Sequence, residues 1–174
     1  AFTGSTKTGG EIMRLASDPI KRVTLELGGK SPNLVFADAN LEDAIPSAAW
    51  SIYYSAGQSC EARSRLLVEA SIYDDVVAQL TDLAGRVRVG DPLDPETQMG
   101  SLISTTHREK VHGFVEDARS GGVEVTTGGS IGDGPGAFYP PTVIAPATND
   151  LRAAQEEIFG PVVTVIPFDD EADA

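Results

Sequence analysis

The chain has 174 residues, enough for one domain with a proper core, and its 41% hydrophobic and 22% charged content is that of a folded globular protein rather than a disordered one. A formal net charge of −13 excludes the basic footprint that nucleic acid requires and disfavours anionic membrane surfaces, so neither is expected as a partner. One cysteine, Cys60, excludes an intrachain disulfide and is too few for structural zinc, and no metal site is expected.

In chain order, residues 2–3 read as a strand end, and Gly4-Ser5-Thr6-Lys7-Thr8-Gly9 as a glycine-punctuated turn before a helix over 10–17. Asp18-Pro19 stops that helix, because the residue before proline avoids helical angles. Strands follow over 23–27 and 33–36, separated by the Gly28-Gly29 turn; the second is a continuous apolar run of the kind buried in a parallel sheet. Asn40 is a cap for a helix toward Tyr54, in which Pro46 removes a hydrogen bond and predicts a kink or a later start. A strand over 64–70 leads to a helix over 73–87 with Val76, Val77, Leu80 and Leu83 in register. After the loop at 90–95, a second amphipathic helix runs over 105–120 on Val111, Phe114, Val115 and Ala118, with Gly121-Gly122 as its left-handed cap. Strands over 123–127, 139–144 and 162–168 and a short helix over 149–157 complete the pattern. The alternation predicts an α/β fold, a layered and largely parallel sheet with flanking helices. The composition shift that most resembles a domain boundary falls between Ser17 and Val23.

No apolar run reaches the roughly 18 residues of a membrane span, and residues 1–5 have neither a basic region nor an apolar stretch, so a cytoplasmic protein is expected. The chain opens inside a strand-to-helix turn and closes on a helix start at 169–174, so both ends are expected to be internal positions of a longer protein.

Cys60 lies between an apolar helix and a strand, in Ser55-Ala56-Gly57-Gln58-Ser59-Cys60. It is a buried small hydrophobe, an incidental residue, or a nucleophile whose thiolate is favoured by backbone N–H groups and by Arg63 and Arg65 nearby. Glu26 interrupts the apolar strand Leu25-Glu26-Leu27. It is either a solvent-facing carboxylate or, if enclosed in a cleft, a general base. His107 and His112 lie on different faces of a charged helix and read as surface residues, so a carboxylate suits a catalytic cysteine here better than histidine. Glu156-Glu157-Ile158-Phe159-Gly160-Pro161 is either a rigid carboxylate at a cleft edge, able to accept hydrogen bonds from a sugar, or an acidic surface turn with Phe159 as core filler. The Gly4…Gly9 turn suits a phosphate at a helix start but matches no dinucleotide or P-loop signature, and taken alone an ordinary turn is the plainer reading.

Taken together and in order, these segments resemble the aldehyde dehydrogenase superfamily. The matching stretches are Phe2-Thr3-Gly4-Ser5-Thr6…Gly9, Val23 to Asn33, Gly57-Gln58-Ser59-Cys60-x-Ala62-x-x-Arg65, Val89-Gly90-Asp91-Pro92, and Glu156 to Val162. The separation of Glu26 and Cys60 is also the family's. Ser101 and Pro46 depart from the family pattern without touching its chemistry.

The resemblance implies an aldehyde dehydrogenase-like fold and oxidation of a small aldehyde to an acid. Cys60 would attack the carbonyl to give a thiohemiacetal and then, after hydride transfer to NAD or NADP, a thioester. Glu26 would activate the hydrolytic water. Gly4, Ser5 and Gly9 would lie at the cofactor pyrophosphate and nicotinamide side. Leu27 and Gly28 would line the nicotinamide pocket, Glu157 would hold the nicotinamide ribose, and Phe159 would pack beside it. Residues 1–25 would be the tail of a coenzyme-binding domain and 26–174 a catalytic domain lacking its C-terminal end, in a homo-oligomeric parent. A catalytically incomplete or structural piece, and a cysteine hydrolase acting on esters without cofactor, are the alternatives. The substrate aldehyde is not specified; Tyr53 and Tyr54 are candidates for its tunnel, with core packing the plainer use.

Overall fold

A computed structural model describes residues 1–174 as two sheets joined through residues 28–31. The smaller pairs β1 (Phe2–Gly4) with β2 (Leu25–Leu27) in parallel, connected by helix α1 (Thr6–Ser17). The larger contains β3 (Pro32–Val35), β4 (Arg65–Glu69), β5 (Val125–Thr127), β6 (Thr142–Ile144) and β7 (Val162–Phe168) in the order β3-β4-β7-β6-β5. Every pairing is parallel except β5 with β6, at one edge. The expected layered, largely parallel α/β architecture is what forms.

β7 takes the centre because its sequence allows nothing else. Val162 to Ile166 are all buried, and each valine enclosed on both faces contributes about 1.5–3 kcal/mol relative to exposure. Around the sheet, α2 (Leu41–Tyr53) buries Ile45, Ala48, Ala49, Ile52 and Tyr53, and α3 (Tyr73–Arg86) buries Val76, Leu80 and Ala84. Helix α4 (Thr105–Ser120) buries Val111, Phe114, Val115 and Ala118, the register its periodicity predicted.

Local differences from the sequence reading have physical causes. Helix α1 starts at Thr6, four residues early, because Ser5 caps it: its Oγ accepts the Thr8 N–H at 3.3 Å. Gly9 then lies inside the helix, pressed on β2, where an added Cβ would come 2.6 Å from Leu27 Cδ2. Asn40 caps α2 as expected, accepting from the Glu42 N–H at 3.3 Å, but Pro46 neither delays nor ends the helix. It occupies an exposed position while the buried face holds the helix together. The left-handed residue closing α4 is Gly122, at φ +81°, one beyond Gly121. The helix expected over 149–157 shrinks to the single turn α5 (Arg152–Gln155), since Glu156 is already extended at φ −102°, ψ 149°.

Candidate active site

The parallel pairing of β1 and β2 sets Thr3 beside Glu26 and Gly4 beside Leu27, so both strands end at one rim. Ligands of parallel α/β sheets bind at such carboxyl ends. Helix α1 starts from the same rim with no acidic residue in its first turn, leaving its positive N-terminus free to face an anion. Glu26 points away from its half-buried neighbours Leu25 and Leu27, as strand alternation requires, and is exposed at the cleft rather than enclosed in it.

Cys60 reaches the same cleft by an unusual backbone route. After α2, Ser55, Ala56 and Gly57 take φ values of +54°, +55° and +71° in succession, a short left-handed turn. For Ser55 and Ala56 this costs on the order of 1–2 kcal/mol each, a strain sustained because the surroundings fix it. Gln58 locks the exit: its Nε2 donates to the Ser55 carbonyl at 3.2 Å and its Oε1 accepts the Ile103 N–H at 2.9 Å. A turn closed by the Ala62 N–H on the Ser59 carbonyl at 3.2 Å then presents Cys60, whose free thiol is exposed. Of the two arginines near it in sequence, Arg65 is directed elsewhere, donating to Asn149 Oδ1 at 3.0 Å and the Lys30 carbonyl at 3.2 Å.

The cleft has a volume of about 680 Å³ and is lined by Gly4, Ser5, Glu26, Leu27, Gly28, Cys60, Glu157 and Phe159, among others. Every candidate residue except Gly9 therefore meets at one cavity; Gly9 acts one turn deeper, letting α1 close on Leu27. A second cleft, about 740 Å³, is lined by Ser31, Ser47, Trp50, Ser51, Tyr54, Glu61 and Arg63. The two share Ser59 and Cys60, so the thiol stands at their junction. Tyr54 lines the second cleft, whereas Tyr53 is wholly buried, its hydroxyl pushed above the ordinary tyrosine range by burial.

The acidic segment after α5 divides its labour. Glu156 is exposed and paired with Arg152 Nε at 3.1 Å, while Arg152 also meets Asp117 and lies 4.2 Å from the Phe114 ring centre. Glu157 turns inward over Gly28, where an added Cβ would stand 2.7 Å from its Oε1; that oxygen is buried and has no hydrogen-bond partner. Ile158, 3% exposed, fills the core, and Phe159 does not: it is 39% exposed, at φ +56°, facing the cleft. The core-filler reading of Phe159 is thus replaced by a strained aromatic presented to a cavity. An unpaired carboxylate oxygen on a glycine-floored cradle, beside a free helix N-terminus and an exposed ring, fits a cofactor carrying ribose hydroxyls, a phosphate and a planar ring.

His107 was read as a surface residue, yet it lines this cleft and is half-buried. Its Nε2 lies 2.6 Å from the Phe159 carbonyl, which can only accept, so the imidazole donates there. His107, Lys110 and Phe114 line the cleft together at helical spacing, and that spacing was the signal available for finding them. His112 instead contacts the Tyr139 hydroxyl at 3.1 Å, away from the cleft lining.

The family model for the aldehyde dehydrogenase family matches residues 1–174. The betaine aldehyde dehydrogenase of Bacillus subtilis is 46% identical over 175 residues, covering 98% of this chain and 36% of that protein. The 5-carboxymethyl-2-hydroxymuconate semialdehyde dehydrogenase of Escherichia coli is 46% identical over 183 residues, covering 100% of this chain and 38% of its own length. The NAD+ complex of the Bacillus cereus aldehyde dehydrogenase superposes with a TM-score of 0.96 at 46% identity, over 98% of this chain and 35% of that one. The chain thus spans little more than a third of the length of these relatives. With the match running along its whole length, the chain belongs to the aldehyde dehydrogenase family.

Proposed function

We propose that the protein oxidises an aldehyde to a carboxylic acid with NAD or NADP as acceptor. The observation that carries this reading is the position of Cys60, at the meeting point of the cradle-bearing cleft and a second cleft through which an aldehyde can approach. The Cys60 thiolate adds to the carbonyl carbon, forming the C–S bond of a thiohemiacetal whose oxygen accepts from the backbone N–H of Cys60 itself. The cofactor, when bound, supplies the hydride acceptor. Gly4 and Ser5 at the start of α1 would hold its phosphates, Leu27 and Gly28 would line the pocket for its ring, Glu157 would accept from ribose hydroxyls, and Phe159 would pack against it. Gly9 contributes by holding α1 on β2. Loss of the hydride leaves a thioester on Cys60. Glu26 then takes a proton from the water that attacks the thioester, releasing the acid and restoring the thiolate.

Cys60→Ala in the protein as its complete gene encodes it is expected to abolish dehydrogenase turnover, and wild-type turnover would remove Cys60 from the mechanism. Glu26→Gln is expected to preserve the burst of thioester formation and slow its hydrolysis; an unaffected deacylation rate would assign the base elsewhere.

A second reading is a catalytically incomplete or structural piece of such an enzyme. Saturable NAD binding by these 174 residues alone would count against it. A coenzyme-side part over 1–25, a catalytic part over 26–174, a homo-oligomeric whole and a cytoplasmic setting belong to the first reading. The exposed free thiol suits a reducing compartment, and no helix is long and apolar enough to cross a membrane.

A further inference from the structure

Lys30 is a buried cation that the chemistry above does not use. It sits in the connection between the two sheets, with Gly28 on one side lining the first cleft and Ser31 on the other lining the second. Its Nζ has no exposed surface and no hydrogen-bond partner. An ammonium held that way is costly, and an apolar side chain of similar volume would serve packing better. Such a residue is retained for its charge.

Two charged groups face it. From β4, Arg65 donates its Nη2–H to the Lys30 carbonyl, fixing the base of the side chain while repelling its head. From the segment after α5 comes Glu157, whose carboxylate is seated on the Gly28 backbone and whose Oε1 is likewise buried and unpartnered. Burial, and Arg65 after it, outweigh the opposing pull of Glu157 and leave the Lys30 pKa lowered to about 8. One buried, unpaired atom thus belongs to the loop that floors the cradle, and the other, of opposite charge, to the carboxylate seated on that loop's Gly28.

We propose that Lys30 is a positioning residue acting through Glu157: its buried charge, pushed from one side by Arg65, holds the Glu157 carboxylate over Gly28, aimed at the ribose hydroxyls of the cofactor. Apolar burial at this position would leave Glu157 as an uncompensated anion under the cradle, free to turn toward solvent. Lys30 touches neither cofactor nor thiol in this role.

The inference rests on the cofactor reading proposed above, and the test separates the two. NAD affinity is measured calorimetrically, without turnover, for the wild-type protein and Lys30→Met, each as its complete gene encodes it. Lys30→Met is expected to weaken NAD binding about tenfold while the Cys60 thiol alkylates at the wild-type rate. A second measurement needs no variant: wild-type NAD affinity should fall as pH rises through about 8, where Lys30 sheds its proton. Wild-type NAD affinity in Lys30→Met, or a wild-type affinity flat across that pH range, overturns the role of Lys30 alone. Failure of the wild-type protein to bind NAD overturns the cofactor reading and this inference with it.

Discussion

Gly57 is the position at which a single methyl group is expected to do most damage, although it touches neither thiol nor cofactor. Its φ of +71° is left-handed, and a Cβ built there would overlap the Gly160 carbonyl and stand 2.8 Å from Pro161 N. All of these neighbours are backbone, so none can yield by changing a rotamer. Alanine in this conformation costs about 1–2 kcal/mol, and forcing the two segments apart costs about 1–3 kcal/mol more. The reduced freedom of the unfolded chain returns less than about 1 kcal/mol. The Gly57→Ala variant should therefore lose about 3 kcal/mol, read as a lower urea midpoint at unchanged slope. Activity should suffer more. Gly57 precedes Cys60 and Gly160 follows Phe159, so the displacement separates the Cys60 thiol from the cradle. A misplacement of about 1 Å can cost about 100-fold in kcat. Gly29→Ala is the control, since nothing lies within 4 Å of its Cβ. A Gly57→Ala protein with wild-type midpoint and wild-type kcat would refute the claim that the loop and the turn are locked by backbone contact.

Gly113 lies inside α4 with open space around its Cβ, so Gly113→Ala should raise stability by about 1 kcal/mol without altering turnover; a lowered urea midpoint would contradict it. Lys30 gives a pH-dependent effect on stability opposite in direction to its effect on the cofactor. Below pH 8 both folded and unfolded chains carry its proton, and the full cost of burying the ammonium, about 3 kcal/mol, is present. Between about 8 and 10.5 the folded protein sheds that proton while the unfolded chain keeps it, so the penalty is relieved as pH rises. Lys30→Met should accordingly be more stable than wild type at neutral pH, with the difference closing toward pH 10.5; a constant difference across that range would show that the folded protein holds the Lys30 proton as firmly as the unfolded chain does.

The apolar periodicities of α3, α4 and β7 were legible because each is a local pattern with one way to be buried. Helix α1 was misjudged at its start for a local reason too: two glycines look like a turn until Leu27 is known to press on the first. Cys60, Glu26 and Glu157 were legible as members of an ordered set, whereas each residue alone left its alternatives open. Phe159 was legible from its own surroundings only as one of two alternatives, and His107 as a cleft residue was not legible at all. An aromatic beside Ile158 can be core and a histidine between charged residues looks like surface, whereas Phe159 stands at the cleft on a left-handed backbone with His107 against its carbonyl.

That left-handed residue also connects the predictions. Strained backbone occurs at Ser55 and Ala56 before Cys60 and at Phe159 in the cradle, and the two stretches touch where Gly57 meets Gly160. On the far side, Gly160 has no room for a Cβ against Val111 of α4, the helix whose His107 holds the Phe159 carbonyl. Three segments far apart in sequence therefore fix one another through glycines and a single short hydrogen bond. Rigid packing of this kind sustains non-glycine residues at positive φ, which would otherwise relax. The glycines of the Cys60 loop and the acidic segment, by having no side chain, set the separation between thiol and cradle.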